Sequence, residues 1–204
     1  MQTAPLLTFA VFLAGLYWLT QQALQTEGSG GGAISTDTGE GADLADNLTA
    51  AAAGALLGSG SRNMSGTGLD MLRRLEGFSA TPYADHKGFS IGYGHLIKPG
   101  ENLARVTELE AAQLLAQDVS WAEDAVSSAI TVDLAQGQYD ALVSFAFNVG
   151  AGAFRRSTLV RRINAGDPGA AAEFDRWVYA SGTVQQALIN RRRIERNTFE
   201  EATA

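Results

Sequence analysis

The chain has 204 residues, a net charge of −7, two histidines and no cysteine. The absence of cysteine excludes disulfides and thiolate metal sites. Two histidines in different settings, His86 in a turn and His95 on a strand, make no metal centre, so neither metal nor cofactor is expected. A nucleic-acid binder needs a basic excess that this chain lacks; five acidic residues and no Lys or Arg precede residue 62, which leaves the remainder at −2.

Residues 5–24 carry no charge, are most apolar over 6–19, and include Tyr17 and Trp18, residues suited to a membrane interface. The pattern predicts a membrane anchor or signal-anchor helix over residues 1–24, slightly shorter in its apolar part than the roughly 20 residues of a spanning helix. Docking on a partner protein is the alternative. No Lys or Arg precedes the apolar run and no small-x-small site follows, which argues against a cleaved signal peptide. Residues 25–67 are rich in Gly, Ser, Thr, Asp and Ala and read as a flexible linker. Within it, Leu48 to Leu57 is apolar but far too short to span. A folded domain is expected over 68–204.

That domain opens with a helical stripe of Leu69, Leu72 and Leu75, with Met71 and Phe78 beside it, which Gly77 can end. Glu76 lies four residues after Leu72 and so borders the buried face, a setting partly shielded from water. After Pro82 the period changes to two. Phe89, Ile91, Tyr93 and His95 share one face of a strand, and Ser90, Gly92 and Gly94 share the other. A hairpin turn over 85–90 with Gly88 at its tight position brings Asp85 roughly opposite Ser90. The Gly92 and Gly94 face would be bare backbone, suited to a flat polar chain such as a sugar polymer. One shielded and one solvated carboxylate beside such a groove meet the requirements of glycoside hydrolysis.

Further on, Thr107-x-x-Glu110 is a capping box that opens a long helix, apolar on one face to about residue 130. Residues 136–149 are apolar on nearly all sides, as a central buried helix would be. Asp167-Pro168 starts a helix over 170–179. Gly182 separates it from a last helix over about 184–199. Trp177 and Phe199 read as core, while Arg192, Arg193 and Arg196 read as a solvated face. His95 reads as a structural histidine bonded to a carboxylate.

Three stretches resemble the phage-type (T4-like) lysozymes, muramidases of glycoside hydrolase family 24. The first is Glu76-x8-Asp85 followed by residues 88–95. The second is residues 138–150, and the third joins residues 177–180 to the arginine-rich 190–193. They span about 68–200 in family order. The resemblance implies a two-lobed α+β lysozyme-like fold: a small hairpin lobe, a long connecting helix and a helical lobe, here preceded by a hydrophobic helix and linker. It implies hydrolysis of the β-1,4 bond between N-acetylmuramic acid and N-acetylglucosamine in peptidoglycan, with an inverting course. Catalysis would fall to Glu76, Asp85 and Ser90. Gly92, Gly94, Phe147, Asn148 and Arg191 would serve the substrate, with Arg191 close to Glu76. The family usually reads Glu-x8-Asp-x5-Thr; here the last spacing is one residue shorter and ends in Ser90. The partners implied are peptidoglycan, the membrane through residues 5–24 and virion proteins, for an enzyme acting at infection or at host lysis. The rival readings are a lytic transglycosylase-like enzyme and a catalytically weak wall-binding virion component.

Overall fold

The computed structural model describes residues 62–85 and 88–202. The anchor expected over 1–24, most of the linker, and turn residues 86–87 lie outside them. Among the described residues no helix is long and apolar enough to cross a membrane.

Helix α1 spans Gly66–Glu76; Ser65 caps it by accepting from the Gly68 N–H, and Gly77 ends it with φ of 76° and an N–H to the Arg73 carbonyl. A three-stranded antiparallel sheet follows, β1 (Ser79–Asp85), β2 (Gly88–Gly92) and β3 (His95–Leu96), in that spatial order. Helices α2 (Glu108–Asp118) and α3 (Ser120–Ala129) lead to the central α4 (Gln136–Val149), then α5 (Ala151–Arg155) and α6 (Thr158–Asn164). A 3-10 helix at Ala170–Arg176 and a hairpin, β4 (Tyr179–Ala180) and β5 (Thr183–Val184), precede the last helix, α7 (Gln186–Glu201).

Every residue of α4 from Tyr139 to Ala146 is buried, which explains its apolarity on all sides. Helices α3 and α7 pack on it, and α1 reaches it from the sheet side. Phe145 is the centre of an aromatic cluster, meeting Phe154, Phe174 and Trp177 edge-on at 6.2, 5.2 and 5.3 Å. Phe199 closes the cluster against Phe174 at 6.0 Å. Helix α2 packs on β2 and so joins the sheet to the helical body.

Several expectations need correction. The folded body begins before Gly68: Met64 is buried in the core, and Ser65 donates to Asp140 from both its backbone N–H (2.9 Å) and its hydroxyl (2.5 Å). The helix from the Thr107 capping box is not continuous. It stops at Asp118 and restarts at Ser120, with the N–H groups of Ala122 and Glu123 both turned to the Val119 carbonyl. At that break Asp118 accepts from His95 Nδ1 at 2.8 Å, while Nε2 of His95 meets Glu101 at 3.1 Å; this histidine is fully used in tying the sheet to the loop and α2. The strand expected through His95 ends at Gly92, because Tyr93 and Gly94 form a turn that starts β3. The stretch after Asp167-Pro168 winds as a 3-10 helix only to Arg176, and Tyr179 belongs to a strand.

Gly92 is part of this packing. It has φ of +66°, and a methyl there would stand 2.8 Å from the Ala111 side chain of α2. Gly92→Ala is therefore expected to destabilise the protein by about 2–4 kcal/mol through left-handed strain plus overpacking. Gly94, with φ of +94° but no atom nearer than 4.0 Å to such a methyl, should lose less. Denaturant midpoints of the two variants check the order.

Acid lability can be signed from the carboxylates. The Lys98 N–H and then His95 hold Glu101 below the ordinary value of 4.5, and the Thr107 N–H and then its hydroxyl do the same for Glu110. Arg162 and then the Gly169 N–H hold Asp167 below 3.8. Each contributes stability that is present above its ordinary value and lost as pH falls through its depressed folded value. Asp118 acts oppositely: burial raises it against the pull of His95, so acid relieves its cost. A thermal midpoint that holds steady down to about pH 5 and falls below about pH 4 is expected, measured by circular dichroism across pH.

Candidate active site

Glu76 is the last residue of α1, and its side chain is 14% exposed. Its position at the helix end, directly before the Gly77 cap, lets the carboxylate reach α7. There Nη1 of Arg191 donates to Glu76 Oε1 at 2.8 Å. Arg191 is itself buried and fully engaged: its Nε donates to Glu195 Oε1 at 3.0 Å and its Nη2 to the Ser144 carbonyl at 3.3 Å. Burial opposes the charge on Arg191, but Glu76 and then Glu195 more than offset it, so the guanidinium is held above its usual range.

Asp85 ends β1. It accepts the Gly88 N–H on Oδ1 at 3.1 Å and the Ser90 hydroxyl on Oδ2 at 2.5 Å. The register pairs Asp85 with Gly88 and Tyr83 with Ser90, so Ser90 is diagonal to Asp85 rather than opposite it. The one-residue deletion before Ser90 therefore does not part hydroxyl from carboxylate. Ser90 is 1% exposed, and its rotamer is held by burial and this hydrogen bond in place of the methyl a threonine would supply.

Tyr83 lies two residues before Asp85 on the same strand face. Burial pushes its phenol up, and negative charge on Asp85 and then on Glu76 pushes it further. The sheet has a register irregularity between Ser79 and Tyr83, where Pro82 has no N–H to offer, and this bends β1 ahead of the Tyr83–Asp85 segment. Tyr83 was not singled out in the sequence, although its spacing of two from Asp85 was the available signal.

The glycine face divides. Gly94 is exposed in its turn, and the atom nearest its empty side-chain position is the Tyr83 hydroxyl, so it lies on the side of the site. Gly92 does not; it is buried against α2, and its role is close packing. Phe147 and Asn148 sit at the C-terminal end of α4, both half-buried. Phe147 stacks on Trp121 with centroids 5.7 Å apart, and Asn148 Oδ1 accepts from Arg192 Nη2 at 2.7 Å.

Arg192 is the clearest correction to the solvated arginine face. It is 1% exposed, with its guanidinium 4.8 Å over the Phe145 ring and Nε 3.0 Å from Glu195 Oε2. Burial pulls it below the ordinary arginine range against the opposing pull of Glu195. Arg193 is exposed and Arg196 pairs with Asp175 and Glu200 nearer the surface. Glu195, wholly buried, also accepts from the Ser144 hydroxyl at 2.7 Å. Its signal was present: it lies four residues after Arg191 and three after Arg192 on one helix face.

A buried arginine thus holds the helix-end Glu76, and Ser90 holds Asp85 at the end of β1. The family model described as Phage lysozyme matches residues 73–195. The chain belongs to the phage lysozyme family. Among relatives in this family, the endolysin of Salmonella phage P22 is 41% identical over 142 residues, 67% of this chain and 97% of that protein. The endolysin of Bacillus phage PZA is 40% identical over 144 residues, 69% of this chain but 56% of that protein, so the chain spans little more than half the length of that relative. The SAR-endolysin of Bacteriophage PS119 is 41% identical over 128 residues, 60% of this chain and 75% of that one. Among solved structures, a P22 lysozyme mutant superposes with TM-score 0.62 at 38% identity, covering 68% of this chain and 98% of that one. The muramidase domain of SpmX from Asticaccaulis excentricus gives TM-score 0.62 at 36% identity with the same coverage. The phage lysozyme fold is thus the α+β, lysozyme-like one expected.

Proposed function

We propose that the protein is a muramidase that hydrolyses the β-1,4 bond between N-acetylmuramic acid and N-acetylglucosamine in peptidoglycan. The observation that carries this is the pair of differently held carboxylates: Glu76 on a buried arginine, Asp85 on Ser90 and a backbone N–H. Family membership and the muramidase and endolysin relatives support the same chemistry.

In this reading protonated Glu76 gives its proton to the glycosidic oxygen as the C1–O bond breaks. Arg191, already in place on Oε1, stabilises the carboxylate left behind without having to move. Asp85, aligned by Ser90, accepts one proton from a water whose oxygen bonds to C1 from the opposite face. One water is consumed, and transfer of the proton from Asp85 back to Glu76 through solvent completes the cycle. An inverting course requires the two carboxyls about 6.5–9.5 Å apart, enough for that water.

Asp85→Ala separates this from transglycosylation by Glu76 alone. We expect it to lower turnover on murein at least about 100-fold, and Ser90→Ala to lower it less, since the hydroxyl only orients Asp85. Full activity in Asp85→Ala, with anhydromuramyl products, would assign the transglycosylase reading instead. We further propose that residues 5–24 tether the enzyme to a membrane with its domain towards the wall, a reading supported by the charge-free run and by SAR-endolysin relatives. Release of the full chain from membranes by alkaline carbonate would contradict the tether.

A further inference from the structure

We propose that residues 48–57 of the linker dock as a short helix in an apolar groove of the helical body, so that the chain is clamped to the domain again upstream of Arg62. The groove lies between the segment before α4, α6 and the end of α7, and none of the candidate site residues lines it. It has a volume of about 300 Å³ and a floor of Val132, Leu134, Ile163 and Phe199. A space of ~150 Å³ holds a benzene ring, so the groove has room for two leucine side chains. Two of its rim carboxylates carry little free charge. Asp167 accepts from Arg162 Nε at 2.7 Å, and Glu200 accepts from Arg196 Nε at 2.9 Å. Such a groove suits an uncharged occupant.

Residues 47–61 carry no charge. Within them Leu48, Ala52, Ala55 and Leu56 recur at helical spacing on one face, Asn47 is of the residue type that starts a helix, and Gly58 of the type that stops one. A helix this short does not hold in water without a surface to cover its apolar side. The described residues begin at Arg62, and the chain is pinned there at once. The Tyr139 hydroxyl donates to the Arg62 carbonyl at 2.5 Å, and Gln136 Nε2 donates to the Asn63 carbonyl at 3.1 Å. Both partners belong to the first turn of α4, and Gln138, between them, lines the groove. The path round this turn is about one helix width, ~10–12 Å, and the chain from Arg62 back to Leu57 reaches ~17 Å. Leu56 and Leu57 can thus enter the groove without displacing any contact of Arg62 or Asn63. Docking leaves residues 25–47 as the free part of the linker. The proposal uses neither the muramidase chemistry nor the membrane tether.

Hydrogen exchange of the full chain in detergent, read by mass spectrometry, tests this. The amides of residues 48–57 should exchange at least about 10-fold more slowly than those of residues 25–45. Leu56→Ser takes an apolar group off the docking face, and Val132→Arg fills the groove from an edge that is 38% exposed. Each should return residues 48–57 to the exchange rate of the rest of the linker. Leu109→Arg, at a position on α2 that is 71% exposed and outside the groove, should leave the protection as it is. Dilution of the protein should not change it either. Unprotected amides over 48–57 in the parent would overturn the proposal. Protection that survives Val132→Arg would overturn it too, by placing the segment on another surface or in the micelle. Protection lost on dilution would do the same, by making the groove a contact between two copies. The amides of α4 report in the same spectra whether each variant is folded; if Val132→Arg is not, Leu56→Ser, which lies outside the domain, still decides.

Discussion

Glu76→Gln is expected to abolish lysis of murein while leaving the protein folded. Glutamine keeps the length and the carbonyl oxygen that Arg191 Nη1 now meets at 2.8 Å, so the contact that orients the side chain survives. Arg191 also retains Glu195 and the Ser144 carbonyl, and no buried charge is left without a partner. What disappears is the transferable proton. A positioned acid contributes about 10²–10⁴-fold to a reaction of this kind, and turnover should fall by at least that much. The thermal midpoint should move by no more than a few degrees. Turbidity clearing of a wall suspension, read beside calorimetry on the same preparation, checks both halves. Retained lysis would remove Glu76 from the chemistry, and a collapsed midpoint would mean that its charge serves the fold.

Glu195→Gln is expected to produce the largest loss of stability of any single change near the site. This carboxylate is completely buried and meets two buried guanidiniums and the Ser144 hydroxyl. Removing its charge leaves Arg191 with Glu76 alone and Arg192 with only the amide of Asn148. Breaking one partner out of a buried ionic cluster costs about 3–5 kcal/mol, because the remaining charge stays desolvated. For a domain of this size that corresponds to roughly 10–20 °C in thermal midpoint. Activity should fall as well, since Glu195 anchors the arginine that holds Glu76. A midpoint shift under about 3 °C would mean that water or movement relieves the cluster and that it is less sealed than the distances imply.

Much of this arrangement follows from local rules that act within a few residues. Gly77 ending α1, the Thr107–Glu110 capping box and the all-round apolarity of α4 each encode their structure in sequence, and each stands as expected. The Asp85–Ser90 contact was legible too, because a hairpin carries residues five apart to one place. The period-two pattern, in contrast, continues through Tyr93 and His95 and cannot show that the chain turns between them. The apolar stripe of the helix after Thr107 is likewise unbroken across Val119, where the interruption coincides with Asp118 engaging His95 some twenty residues earlier in the chain. Residues 62–67 have the composition of a linker, yet Ser65 and Met64 are held by Asp140 and Glu123 from distant helices. Arg192 reads as solvated because charged residues usually are, and Glu195 carries no reading of its own. Only the approach of Ser144 and Phe145 on α4, about fifty residues away, makes them core.

The most direct test is mass spectrometry of the sugar termini released when the full chain, in detergent, digests purified murein. Termini made of reducing N-acetylmuramic acid, each heavier by one water than its anhydro form and absent from the Glu76→Gln digest, are the predicted result. Anhydromuramyl termini, or no new termini beside an intact fold, would contradict hydrolysis by the Glu76–Asp85 pair.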